Sequence, residues 1–399
     1  MLSVEEARAR VLALVAPLGQ EPVPLAEAAG RILAADAVAG RAQPPFAASA
    51  MDGYAVRAAE ATAGAVLTVA GEAAAGHRAP LALPPASAIR IFTGAPLPEG
   101  ADSILIQENA ARAGDSITVQ EAPQPGVFVR PAGGDFAAGD ALTAPRRIGP
   151  REIGLLAAMN VAQPVVARRP IVALMATGDE LVWPGEEPGP DQIIASSAPA
   201  LAARVAAAGG IPRLCPIARD TRESLLTALE AARGADILVT LGGASVGDHD
   251  LVAEVLGGAG LALDFYKIRM RPGKPLMAGR LHDGTAMLGL PGNPVSAMVC
   301  GELFLVPAIA RCLGWPTESL APQFHTGILA ADIEANGDRE HYMRASLRQG
   351  PDGRATLTVA RRQDSSLQRV LAHANALVRR MPNAPAATAG STVEYLPLD

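Results

Sequence analysis

The sequence predicts a multidomain α/β-plus-β protein built around one doubly wound sheet. Three observations predict it. From Pro170 to Leu313, near-continuous apolar runs alternate with amphipathic stretches, as expected of buried parallel strands joined by crossover helices. Before that region, residues 43–140 are rich in Pro and Gly and broken into short apolar runs. After Trp315-Pro316, short units alternate apolar and polar residues, the pattern of a small β domain.

Taken in order, Ser3-Val4-Glu5-Glu6 is a capping-box pattern that predicts a helix to about Val15. Pro22, Pro24 and Gly30 break the chain. Residues 65–70 and 104–107 read as strands of a small β-rich domain. Gly149-Pro150 opens a helix over 148–162. IVALMATG is a first buried strand, PRLCPIARD a second and ADILVTLGG a third, with helices over 197–208 and 221–233 between them. Residues 251–256 read as helix, LALDFYKI as extended, TAMLGLPG as another buried strand and 295–313 as a long apolar helix. HYMRASL, ATLTVARR, NALVRRM and STVEYLP then supply the last β domain.

Bulk properties exclude several classes. The net charge of −6 argues against broad nucleic-acid binding. Cys215, Cys300 and Cys312 form no CxxC pair and no closed disulfide framework, and six scattered His argue against a His-based zinc site. No secretory pattern opens the chain, and no uncharged apolar run reaches the ~20 residues of a membrane span. A cytoplasmic protein is expected.

In an open α/β sheet, ligands bind beyond the carboxyl ends of the strands. Here those ends carry Thr177-Gly178-Asp179-Glu180, then Arg219-Asp220, then Gly242-Gly243-Ala244-Ser245-Val246-Gly247-Asp248-His249-Asp250, then Arg271-Pro272-Gly273-Lys274-Pro275, then Pro291-Gly292-Asn293-Pro294-Val295-Ser296. Paired glycines let backbone N–H groups approach a phosphate, and the turn at Asn293-Pro294 begins a helix whose first N–H groups can hold an anion. Neither GxGxxG nor a Walker A loop is present. Glu180, Asp220 and Asp250, acids at strand ends near a phosphate, point to Mg²⁺; Asp220 before Thr221 also fits a helix cap. Lys267 and Lys274 are the only lysines among 34 Lys and Arg residues. An ammonium is a compact point charge where guanidinium is a rigid fork, so a tight oxyanion pocket can demand Lys.

TGDEL at 177–181, GGASVGDHD at 242–250, RPGKP at 271–275 and LPGNPVSA at 290–297 resemble the molybdopterin molybdenumtransferases, bacterial relatives of the gephyrin E domain. SAMDGYAVR at 49–57, RIFTGAPLPEGAD at 90–102 and RPAGGDFAAGD at 130–140 agree, so the resemblance spans nearly the whole chain. It implies a helical linker domain (1–44 plus 141–168), a β-rich domain (45–140), a central doubly wound α/β molybdopterin-binding domain (169–316) and a C-terminal β-barrel (317–399). It also implies a homodimer whose active site is shared between subunits. The implied reaction takes adenylylated molybdopterin and molybdate, inserts molybdenum at the dithiolene and releases AMP, with Mg²⁺ or a similar divalent ion.

By motif, Asp250, Glu180 and Asp220 are the implied metal-linked acids, and Asp52, Lys267 and Lys274 join them as catalytic candidates. Thr93, Asp135, Thr177, Gly178, Asp179, Gly242, Gly243, Ser245, Gly247, Arg271, Pro291, Gly292, Asn293, Pro294 and Ser296 are implied substrate contacts; Arg344 and Ser365 match more loosely. Read alone, Asp52 is half of a turn-forming Asp-Gly pair, Thr93 a turn hydroxyl and Asp135 a solvated loop acid. Leu241 stands where the family carries Ser or Thr, and Ala195-Ser196-Ser197 replaces an Asn-Ser-Asn run. An ATP-dependent molybdopterin adenylyltransferase shares the α/β domain, but the additional domains argue against it. A non-catalytic scaffold need not retain the acids and lysines.

Overall fold

The computed structural model describes residues 1–79, 81–243, 251–258, 260–350 and 353–398. The chain forms two compact units: Pro22–Val166, and a second that joins Met1–Glu21 to Ala167–Asp399.

Within Pro22–Val166 there are two kinds of core. One gathers Leu33, Leu142, Ile148, Leu156 and Val166 around the helix Pro150–Ala158. This helix is shorter than the sequence predicts because Asn160 adopts a left-handed conformation (φ 62°). Its N–H donates to the Ala157 carbonyl and that of Val161 to Leu156, the two bonds of a Schellman stop. The other core lies on a six-stranded sheet, in spatial order Ser103–Ile106, Gly53–Val56, Ser87–Ile91, Val66–Ala73, Ser116–Val119 and Ala110–Ala113.

The second unit begins with the helix Val4–Ala13, whose capping box forms as predicted: Ser3 Oγ accepts from Glu6 N and the Glu6 carboxylate accepts from Ser3 N. Its main sheet has the order Ile211–Leu214, Ile171–Ala176, Ile237–Leu241, Ala286–Leu290, Met277–Arg280, Ala262–Tyr266. The first four strands are parallel. The edge departs from the all-parallel expectation: Met277–Arg280 runs antiparallel to both neighbours. Its reversal returns Ala262–Tyr266 to the direction of the parallel strands, so Tyr266 ends at the same edge as Ala176, Leu241 and Leu290. On one face Leu225, Ala228, Val252 and Val255 pack onto Ala173, Met175, Leu238 and Met287. The other face carries Ser197–Ala207 against the apolar helix that starts at Pro294.

That helix runs Pro294–Cys300, a π turn over Gly301–Leu305, then Val306–Cys312. Pro307 has no N–H to return to Leu303, and the ladder widens there. Length and composition would let 294–312 cross a membrane, but most of it is buried in this unit. A Cβ on Gly301 would lie 2.5 Å from Leu201 Cδ2, so the close approach of the two helices needs glycine.

The C-terminal strands form a closed five-stranded barrel. The order Glu340–Gln349, Ala355–Val359, His325–Leu329, Thr392–Pro397, Ala376–Arg380 is sealed by pairing of the last strand with the first. Met270–Arg271 adds to the barrel sheet in parallel with the start of Glu340–Gln349, tying the RPGKP loop to the barrel.

Candidate functional site

The strand ends assemble three of the predicted loops against one another. Thr177 is buried; its N–H and Oγ1 both donate to the Leu241 carbonyl. Gly242 has φ 96° and donates to the Leu290 carbonyl. A Cβ there would lie 2.8 Å from Thr177 Oγ1, and one on Gly292 would lie 3.4 Å from Gly242 Cα. Glycine is therefore required at 242, where the turns after the first, third and last strands meet, while Gly292 packs against it at ordinary contact distance. Gly243 (φ 61°) continues the turn. Ser245, Gly247 and Asp250 lie outside the described residues. Leu241 completes the buried strand, and the hydroxyl one residue earlier, on Thr240, is buried without a partner.

A second grouping is acidic. Asp179 Oδ1 accepts the Asp220 N–H at 3.0 Å. Burial, then the charges of Asp179 and Glu180, push the Asp220 carboxyl above its ordinary range. Three carboxylates thus share one field. Among the described residues no group of three His, Cys, Asp or Glu side chains is gathered closely enough to hold a metal; Asp250, the third expected ligand, is outside them. The donor set of Glu180 and Asp220 still fits a hard cation, because such an ion relieves their mutual repulsion.

Arg219, to which the sequence reading assigned no role, organises this loop. Its Nη1 donates to the carbonyls of Leu181 (2.8 Å), Asp179 (2.9 Å) and Gly178 (3.3 Å). Gly178 has φ 141°, and a Cβ would overlap the Glu180 carboxylate at 2.3 Å. The only sequence signal for Arg219 was its place at a strand end, directly before Asp220.

A third grouping is cationic. Lys267 sits at φ 79°, its N–H donating to the Leu276 carbonyl and its ammonium 5.2 Å from the Tyr266 ring centroid. Lys274 is exposed on a turn where its carbonyl accepts from Ile268 and Leu276. Gly273 (φ 109°) makes that turn possible; a Cβ would meet Cys300 Sγ at 2.5 Å. Arg344 is fully buried. Its Nη2 donates to the Asp364 carbonyl, while Nε and Nη1 have no partner. Burial chiefly, and the Arg271 charge in addition, lower its pKa, against the opposing effect of Asp364. Asn293 does not cap its helix; its Nδ2 donates to Ser365 Oγ, and Ser365 accepts the Val295 N–H on its carbonyl. Arg344 and Ser365, loose matches in sequence, are therefore fastened to the Pro291–Ser296 turn. Ser296 itself is buried on the first turn of the helix. Across the substituted Asn-Ser-Asn position, Gln368 donates to Ser196 Oγ.

Within Pro22–Val166, Asp52 Oδ1 accepts from both Thr93 N and Thr93 Oγ1, each at 2.8 Å. These two bonds, with a smaller effect of Arg90, hold its carboxyl below the usual range. Asp135 is exposed on a separate loop, its N–H donating to the Gln43 carbonyl.

Comparison with known proteins matches the chain in three parts. Residues 2–160 match the MoeA N-terminal region (domains I and II), 173–311 a probable molybdopterin-binding domain, and 326–398 the MoeA C-terminal region (domain IV). A molybdopterin molybdenumtransferase of Nostoc sp. is 38% identical over 336 residues, covering 82% of this chain and 77% of that one. Molybdopterin molybdenumtransferase 2 of Mycobacterium tuberculosis is 36% identical over 360 residues, covering 87% and 88%. The crystal structure of a molybdopterin biosynthesis MoeA protein from Pyrococcus horikoshii superposes with a TM-score of 0.87 at 28% identity, covering 100% of this chain and 99% of that one.

Proposed function

Because the chain belongs to the molybdopterin molybdenumtransferase family of molybdenum-cofactor biosynthesis, we propose that it inserts molybdenum from molybdate into adenylylated molybdopterin and releases AMP. The observation that best supports this reading is Arg344. A fully buried guanidinium with two unpartnered nitrogens is costly unless an anion completes it. It stands with Arg271, Asn293 and Ser365 at the edge where the glycine turns gather. A molybdate oxyanion held there would lie close to a pterin whose phosphates rest on Gly242, Gly243 and the Pro291–Ser296 turn.

The roles follow from charge and placement. Arg344 and Arg271 take the oxyanion, and Lys267 and Lys274 offset the pyrophosphate charge. Glu180, Asp220 and Asp250 would hold Mg²⁺, which supplies charge neutralisation at the phosphates when bound. Arg219 and Asp179 keep the acidic turn in place. The Asp52–Thr93 pair keeps a carboxylate ionised and oriented. We also propose a cytoplasmic homodimer, on the strength of the family resemblance; sedimentation of the purified protein as a monomer would overturn the dimer.

The experiment is to incubate purified protein with adenylylated molybdopterin, Mg²⁺ and molybdate and to follow AMP. Molybdate-dependent AMP release is expected, and its absence refutes the reaction. Asp250→Asn is expected to abolish release while leaving the fold intact.

A further inference from the structure

The mouth of the barrel contains a second unsatisfied polar pair. His341 and Arg380 are direct cross-strand partners in the antiparallel pairing of Glu340–Gln349 with Ala376–Arg380. By alternation, His341 shares a face with Met343 and Ala345, and Arg380 with Val378 and Ala376. Those neighbours pack in the barrel core, so both side chains point into the barrel. Arg344 lies on the opposite face of its strand, whereas Arg271 is the parallel-register partner of His341, so this pair adjoins the cradle described above and differs from it in facing the barrel interior.

Both residues are nearly sealed from solvent, His341 at 6% and Arg380 at 5% exposure. Arg380 Nη2 donates to the Ala384 and Pro385 carbonyls, but Nη1 has no partner, and neither has His341 Nε2. No carboxylate pairs with Arg380 among the described residues. The charges acting on His341 are Arg271, Arg344, Arg339 and Arg380, all cations. A buried guanidinium without a counter-charge is among the costliest arrangements in a protein interior.

We infer that a small inorganic anion of halide size binds inside the barrel between Arg380 Nη1 and His341 Nε2, as a structural ion. The neutral imidazole donates its Nε2–H to the anion, and the guanidinium supplies the compensating charge. Two donors satisfy a spherical anion. A tetrahedral oxyanion would leave further oxygens buried without partners, which decides for the halide.

Two measurements test this. Thermal unfolding is followed in sodium chloride and in sodium gluconate at equal ionic strength. The wild type is expected to show a saturable rise in Tm with chloride, and Arg380→Met to fold and lose it, since replacing a buried charge by an apolar side chain is tolerated. No chloride-specific rise, or the same rise in both proteins, overturns the inference. If Arg380→Met does not fold, crystals grown in bromide decide: an anomalous peak within bonding distance of both nitrogens supports the site. A water there, or a sulfate or molybdate, overturns it.

Discussion

Replacing Arg219 by Ala removes a single nitrogen that holds the carbonyls of Gly178, Asp179 and Leu181. Hydrogen bonds to a charged group contribute roughly 1.5–3 kcal/mol each when buried. Here the two shorter bonds dominate, they share one nitrogen, and the side chain is only partly buried, so about 2 kcal/mol in total is reasonable. That is roughly a 30-fold shift in the population of the ordered turn. The Ile193 N–H donates to the Glu180 carbonyl at 2.7 Å and reports the state of the turn. Hydrogen exchange at Ile193 should quicken about 30-fold, and kcat/KM for AMP release should fall by a similar factor. Arg219→Lys should recover part of both, because an ammonium reaches one or two of the carbonyls but not three. If activity falls while exchange at Ile193 is unchanged, Arg219 meets the substrate itself. If neither changes, the clamp has no consequence and the reasoning fails.

Four further outcomes follow from the geometry. Gly273→Ala combines a left-handed φ with a Cβ 2.5 Å from Cys300 Sγ; a loss of about 3 kcal/mol should lower the urea midpoint. Arg344→Lys keeps the charge but loses the fork, and KM for molybdate should rise at least ~10-fold, about 1.4 kcal/mol. Lys274→Arg should lower kcat/KM if a compact ammonium is needed; unchanged kinetics would remove that requirement. His341 is held down to about 4 by burial and then by Arg271, Arg344, Arg339 and Arg380. The unfolded imidazole takes up its proton near pH 6.5 and the folded one only near 4, so the protein loses stability as pH falls through that window. The loss is at most ~3 kcal/mol. It should be flattened in His341→Gln when midpoints are compared at pH 7 and 4.5 in chloride-free buffer.

Much of the fold was legible because buried strands write themselves as apolar runs. Ile171–Ala176, Ile237–Leu241 and Ala286–Leu290 needed no more than that. Met277–Arg280 was missed for a physical reason. It is short, follows Pro275 and contains Gly279, where a Cβ would lie 2.5 Å from the Ala262 carbonyl oxygen. The text reads as a loop although the glycine is there to let two strands close up. The early stop of the helix Pro150–Ala158 depends on Asn160 standing in for glycine at a left-handed position, which composition does not announce. The same holds at the site: glycine turns and strand-end acids have local signatures. Arg344 reaches the Pro291–Ser296 turn only because Gln363 accepts its backbone N–H, the Asp364 carbonyl accepts its Nη2 and Ser365 joins the turn at Asn293.

The distribution of Arg and Lys has a structural logic. Where a cation fixes protein to protein, this chain uses guanidinium: Arg219 through Nη1 on three carbonyls, Arg168 bidentate on Asp236, Arg204 bidentate on Glu302. The two bidentate pairs exploit planarity and paired donors at set angles, whereas Arg219 acts through one nitrogen. The two lysines behave differently. Neither ammonium hydrogen-bonds to protein among the described residues; Lys267 leans on Tyr266 and Lys274 projects from the Gly273 turn. Both backbones are nevertheless fastened, through Lys267 N to Leu276 O and Ile268 N to Lys274 O. A tethered backbone whose ammonium makes no hydrogen bond to the described residues suits an anionic ligand, since no hydrogen bond to those residues must be broken before it binds.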